Sequence, residues 1–189
     1  MQVVRLLTVV LTAACALPAA AQQHGSAHTG HRPAASPYAG LEARPIKALS
    51  DEQVADLKAG RGMGLALAAE LNGYPGPTHV IEHAAALDLS DAQEARLREL
   101  VAEMKAAAIP VGEAIIAAEM ELDRSFGSGS ITPGSLQQLT ARIGDLQGAL
   151  RAAHLKYHLD TVEVLSPGQI ARYNALRGYN EAADAPSHP

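Results

Sequence analysis

Between residues 97 and 115 apolar positions recur in alternating steps of four and three: Leu97, Val101, Met104, Ala108, Val111 and Ile115, with Leu122 one heptad further on. That spacing returns to one face every two turns, so it predicts a single amphipathic helix over about 90–126 with a narrow apolar seam. Pro110 lies inside it and is expected to kink the rod about one turn earlier, where its ring meets the carbonyl four residues back. A second stripe, Leu136, Leu139, Ile143, Leu146, Leu150, Ala153 and Tyr157, has the same rhythm and predicts a helix over about 132–165. Gly127-Ser128-Gly129-Ser130 separates the two, and Thr132-Pro133 is a helix start. Neither rod can bury its stripe alone, so the two are expected to fold back as an antiparallel hairpin.

Shorter helical patterns flank the hairpin at about 50–59, 64–72, 78–88 and 167–178, and no segment reads as a strand. One phrase recurs three times: Leu49-Ser50-Asp51-Glu52-Gln53, Leu89-Ser90-Asp91-Ala92-Gln93 and Leu165-Ser166-Pro167-Gly168-Gln169. Its physics is a helix start. The serine oxygen accepts from backbone N–H groups of the first turn, the glutamine reaches back to the cap, and the leucine staples the chain as it enters. Gly60-Arg61-Gly62-Met63-Gly64 has no strand before it, so it is read as a turn between helices and not as a phosphate-binding loop. The expected fold class is all-α, a long antiparallel helical hairpin over 78–179 preceded by short helices over 49–77.

Composition adds the compartment. One positive charge, an apolar run and Ala19-Ala20-Ala21 before two glutamines read as a cleavable signal peptide over 1–21, cut after Ala21, which directs the chain to the periplasm. The single cysteine, Cys15, lies inside that segment, so the mature chain is expected to hold no disulfide. Lipidation at Cys15 is the weaker reading, because Thr12-Ala13-Ala14-Cys15 lacks the leucine of a lipobox. Residues 22–48 read as a flexible arm containing histidine and proline, and 180–189 as a disordered tail. No segment after the signal is long and apolar enough to span a membrane. A net charge of −5 argues against nucleic acid as a partner. Only 3% of residues are aromatic, which favours thin packed helices over a wide core.

The Leu-Ser-x-x-Gln motifs at 89–93 and 165–169, set around an apolar hairpin behind a signal peptide, resemble the Spy/CpxP proteins and their metal-sensing relatives. The resemblance covers about 78–179. It implies a curved helical dimer that shields unfolded envelope proteins without ATP, or that reports metal to a membrane-bound regulator. Arg96, Arg98, Lys105, Arg142, Arg151 and Lys156 supply positive charge along the long helices, interleaved with acids. A chaperone of envelope stress or metal tolerance is the favoured function, and a metal sensor or buffer the alternative.

Histidines carry the candidate chemistry. His79 and His83 are four residues apart, as are His154 and His158, and on a helix each pair would share one face within reach of one ion. Folding the hairpin about Gly129 sets 154 opposite 104, while a reversal near Asp88 sets His79 beside the same height of the bundle. Glu99, Glu103 and Met104 are then possible further ligands, although helical phase turns Glu99 away from the seam. Such a set suits copper, nickel, cobalt or zinc. Metal-sensing relatives use a His-x-x-x-His pair, a glutamate and a His-x-x-x-Met pair. His79 and His83 match the first element, whereas His158 stands where the methionine would be. His24, His28 and His31 form a second cluster, read as weak or adventitious. His79-Val80-Ile81-Glu82-His83 also spells the inverted zinc-protease motif, with Glu163 as a conceivable third ligand. No cleft or oxyanion donor supports hydrolysis, and the expectation is a protein that is not an enzyme.

Overall fold

A computed structural model describes residues 36–179. The signal segment with Cys15, the part of the arm that carries His24, His28 and His31, and the tail 180–189 lie outside the described residues. The chain divides after Pro37, and all the elements below belong to the unit that follows it. A 3-10 turn, Leu41–Ala43, leads into α1 (Asp51–Ala59), α2 (Leu67–Glu70), α3 (Pro77–Glu82) and α4 (Ala84–Leu87). Then come α5 (Asp91–Gly127), α6 (Pro133–Val164) and α7 (Pro167–Leu176). The described residues contain no strand and no helix long and apolar enough to cross a membrane.

α5 and α6 are the expected antiparallel hairpin, of 37 and 32 residues, or about 55 and 48 Å at 1.5 Å per residue. Pro110 stands inside α5 without ending it. Gly129 turns the tip with a φ of 67°. α6 begins on a capping box in which Ser135 takes the place of glutamine, with Pro133 in the first turn where no N–H is needed.

Two apolar clusters hold the unit together. At the base of the hairpin, Val80, Leu87, Leu97, Leu100, Tyr157, Leu165 and Tyr173 join α3 to α7. Further along, Ile46, Leu57, Ala108, Ile115, Ile116 and Leu150 join α1 to both long helices. The stripe positions Leu97, Ala108, Ile115, Leu139, Ile143, Leu150 and Tyr157 are all buried. Leu100, Ile116 and Ala118 are buried as well, because α5 is covered by α1 and α3 in addition to α6, which widens its apolar face beyond a seam. α1 crosses α5 at Gly112, where a Cβ would lie 2.5 Å from the Leu57 carbonyl oxygen.

Three boundaries differ from expectation. The arm drawn to residue 48 ends earlier, since Ile46 is only 5% exposed and belongs to the second cluster. The helix expected over 64–72 shrinks to Leu67–Glu70, because Met63 and Gly64 both take positive φ and turn the chain first. The helix expected over 78–88 breaks at His83 (φ −107°, ψ 17°), whose N–H closes a tight turn on the Val80 carbonyl. Asp88, at φ 52°, then makes the reversal into α5.

All three Leu-Ser-x-x-Gln phrases are capping boxes. Two of them also meet. Gln93 Nε2 donates to the Val164 carbonyl (2.9 Å) and to Gln169 Oε1 (2.9 Å). Gln169 Nε2 donates back to Gln93 Oε1 (3.1 Å) and to the Leu87 carbonyl (3.3 Å). Each Oε1 accepts its own cap N–H as well. One reciprocal amide pair thus ties together the start of α5, the ends of α4 and α6, and the start of α7.

Candidate functional site

The glycine-rich turn after α1 wraps across the hairpin and leaves a cavity of about 560 Å³ beneath it, reaching the first residues of α3. His154 and His158 line it from α6, Met104 from α5 and His79 from α3. Four of the six nominated ligands therefore face one space.

His154 is 2% exposed. Its Nδ1 lies 2.9 Å from the Leu150 carbonyl oxygen and its Nε2 3.4 Å from that of Gly60. A neutral ring carries one N–H, and the shorter contact assigns it to Nδ1. His158 Nδ1 lies 2.6 Å from the Tyr74 carbonyl oxygen, so it too donates there. Gly76 packs so closely on that ring that a Cβ would stand 2.9 Å from it. In the neutral form of either ring these contacts place the hydrogen on Nδ1 and a lone pair on Nε2, the tautomer that metal-binding histidines adopt when a backbone carbonyl orients them.

His79 sits at the cavity rim, half-buried, with Nδ1 2.9 Å from Glu82. An exposed pair of this kind contributes about 0–1 kcal/mol and gives way readily. Met104 adds a thioether, polarisable and soft. The other two nominees are elsewhere. The break after Glu82 removes His83 from the face of His79, and its ring packs edge-on to Tyr173 at 6.2 Å. The H-x-x-E-H string therefore does not place its histidines on one helix face. Glu103 takes a hydrogen bond from Arg96 (2.9 Å) on the exposed side of α5, where Glu99 does the same (3.0 Å). These bonds, Glu103's first, raise the Arg96 pKa. Among the described residues, no three His, Cys, Asp or Glu side chains converge as they stand at distances that hold an ion.

The basic side chains of the long helices are mostly paired. Arg98 bonds Glu94, Arg142 lies 3.3 Å from Glu121, and Lys156 bonds Asp160. The hydrogen bond to Asp160 raises the Lys156 pKa. Positive charge is spent along the helix surfaces and is not gathered into a cradle.

One buried group escaped the sequence reading. Glu70, at the end of α2, is 6% exposed. It accepts from the Tyr173 hydroxyl, the Tyr179 hydroxyl (3.0 Å) and the Gly76 N–H (3.1 Å). Arg177 stands 3.7 Å away, and His158 Nδ1 3.8 Å. Burial, and next the bond to Glu70, push the Tyr173 phenol far above its ordinary range, so it remains a donor. The signal was present in the sequence, since Glu70 is the only acid or base between Arg61 and His79. A carboxylate isolated in an apolar run is either exposed or buried with partners.

Residues 62–172 match the model of a family described as heavy-metal resistance. The matched span contains the cavity's four candidate ligands and the two phrases that meet at the base, but not the phrase at 49–53. Comparison with curated proteins and with solved structures found no match.

Proposed function

We propose, from the premise that the chain belongs to the heavy-metal resistance family, which is of the Spy/CpxP kind, that it is an exported, non-catalytic protein that captures a metal ion in the periplasm. Processing after Ala21 frees it there. The ion is held in the cavity by Nε2 of His154 and His158, with the Met104 sulfur and with His79 swung in from Glu82. The carrying observation is the pair of buried imidazoles that line one cavity with Met104, each held by an Nδ1 contact to a backbone carbonyl; the second contact of His154, Nε2 to the Gly60 carbonyl at 3.4 Å, is the one an ion would replace. Imidazole with a thioether suits nickel, cobalt, zinc or copper, and such an ion supplies a positive charge that draws these donors to one point. Glu70 is excluded from the donor set because its oxygens are occupied by Tyr173, Tyr179 and Gly76.

Titration of the mature protein with zinc or cobalt tests this. One ion per chain is expected, lost in His154→Ala and in His158→Ala and retained in His83→Ala and Glu103→Gln. Absence of binding by the wild type, or undiminished binding by both α6 variants, overturns it.

A second reading, a holdase for unfolded envelope proteins acting as a dimer, is favoured by the hairpin tip. There Met120, Phe126 and Leu136 are 43, 55 and 38% exposed, an apolar surface of the kind that contacts other chains. Suppression of client aggregation without metal or ATP, weakened by Phe126→Ser, would support it. A membrane-bound regulator is the partner under the metal reading.

A further inference from the structure

We propose that Met63, on the glycine-rich turn over the cavity, is a further thioether ligand, and that with it the cavity takes a soft monovalent ion, Cu⁺ or Ag⁺, in preference to a divalent one. This rests on the metal-capture reading above and narrows its ion. The methionines after Met1 are Met63, Met104 and Met120, and the first two line the same cavity, Met104 from α5 and Met63 from the turn. Met63 is exposed and belongs to neither apolar cluster, so its side chain is not engaged in the core.

Met63 is held where the backbone resists it. The Leu65 N–H closes a turn on the Gly62 carbonyl at 2.7 Å, and both residues between them take positive φ, 45° at Met63 and 76° at Gly64. Glycine, asparagine and aspartate dominate such turns, and a long side chain there is an outlier. Backbone held against its preference gathers at ligand clamps. This turn packs on His154: the Gly60 carbonyl oxygen stands 3.4 Å from its Nε2, and a Cβ on Gly62 would lie 3.5 Å from its Cδ2. Met63 follows directly in the chain, beside the imidazole it would share an ion with.

Donor chemistry and charge favour the same ion. Among the described residues no three His, Cys, Asp or Glu side chains converge, so the two imidazoles need thioethers to complete a set. A thioether is a soft, neutral donor that selects monovalent copper, whereas zinc sites draw on thiolate, imidazole and carboxylate. The charged side chains that line the cavity are Asp56, Glu70, Arg61 and Lys105, whose formal charges cancel. Asp56 is bonded to Arg61, and Glu70 is occupied by its hydroxyl and N–H donors. Imidazoles and thioethers thus leave the charge of the ion uncompensated, and withdrawing one charge from water costs less than withdrawing two. Capture is ligand exchange alone, and no electron moves.

The test is anaerobic competition for Cu⁺ between the mature chain and a colorimetric Cu⁺ chelator, repeated with Ag⁺ by calorimetry. One ion per chain is expected, bound more tightly than zinc. Met63→Leu, which keeps the volume and removes the sulfur, should weaken Cu⁺ and Ag⁺ by about tenfold or more, the scale on which even a group behind the ligands acts, and should weaken zinc far less. Met63→Gly should unfold no earlier in denaturant than the wild type, since glycine holds positive φ without strain, and should still lose Cu⁺ affinity, which separates ligation from a structural role. Met120→Leu should leave Cu⁺ affinity unchanged. X-ray absorption of the Cu⁺-loaded chain should show two sulfur neighbours in the wild type and one in Met63→Leu. Cu⁺ affinity indifferent to Met63→Leu and Met63→Gly overturns the proposal, as does tighter binding of zinc than of Cu⁺ by the wild type; in both cases metal capture by the cavity still stands on its zinc and cobalt titration. Cu⁺ binding that survives both His154→Ala and His158→Ala places the ion elsewhere and overturns this proposal whatever that titration gives.

Discussion

The phrases at 50–53 and at 90–93 are alike in sequence and alike in local geometry, each a serine box closed by a glutamine. Their consequences differ. Gln53 bonds only its own cap, whereas Gln93 bonds its cap, the end of α6 and the matching glutamine of α7. The same local rule therefore makes a helix start in one place and a tertiary joint in the other. What separates them is position. The starts of α5 and α7 meet where the hairpin closes, while α1 lies against the side of α5 and attaches through Leu57 and Gly112.

The largest effect is expected where the segment before α3 is fastened to α7. Tyr173→Phe removes a buried hydroxyl bonded to a buried carboxylate, a loss of about 1.5–3 kcal/mol for a bond to a charged group. Chemical denaturation at neutral pH measures it. The phenol pKa is raised in the fold from an ordinary value of 10.0. The stabilisation it reports is complete below that pH and declines as pH rises past it, where the unfolded chain loses the proton and the folded one retains it. The wild type should therefore lose stability more steeply than Tyr173→Phe above about pH 10. Parallel alkaline slopes would break the assignment.

The joint itself comes next. Gln93→Ala leaves the Val164 carbonyl and one side of the Gln169 amide without partners, at about 1–2 kcal/mol in a half-buried setting, and Gln169→Ala should behave alike. Because each glutamine is the other's donor and acceptor, the double variant should fall short of the sum by at least about 0.5 kcal/mol. Additive losses in a thermal denaturation series would mean that the two boxes act separately, as Gln53 does.

Much of this architecture was legible in the sequence, and the limits are physical. Heptad spacing located α5, α6 and their seam because burial along a rod has a period. It could not show that Leu100 and Ile116 would be buried as well, since that depends on which helices cover α5. The capping boxes were legible because they are local, and the pairing of Gln93 with Gln169 was not, because it joins residues far apart in the chain. At the site, hairpin arithmetic brought Met104, His154 and His158 to one level, and the same space receives His79. It failed for His83, where a uniform helix was assumed across a turn that closes early. It failed for Glu103, where sequence proximity concealed a partner on the outer face in Arg96.

The smallest effect is expected at the solitary box. Gln53→Ala removes one exposed bond to the Ser50 N–H, which water can replace, so the loss should be about 0.5 kcal/mol. The helix start survives, because Ser50 still accepts from the N–H of residue 53. No coupling to Gln93→Ala or Gln169→Ala is expected, since Gln53 shares no partner with either. The informative result would be a Gln53→Ala loss as large as that of Gln93→Ala, accompanied by such coupling. That would mean that the phrase at 49–53 also works as a joint, with a contact in solution that the single chain does not make, and the distinction between the two regions would then belong to the isolated chain and not to the protein at work.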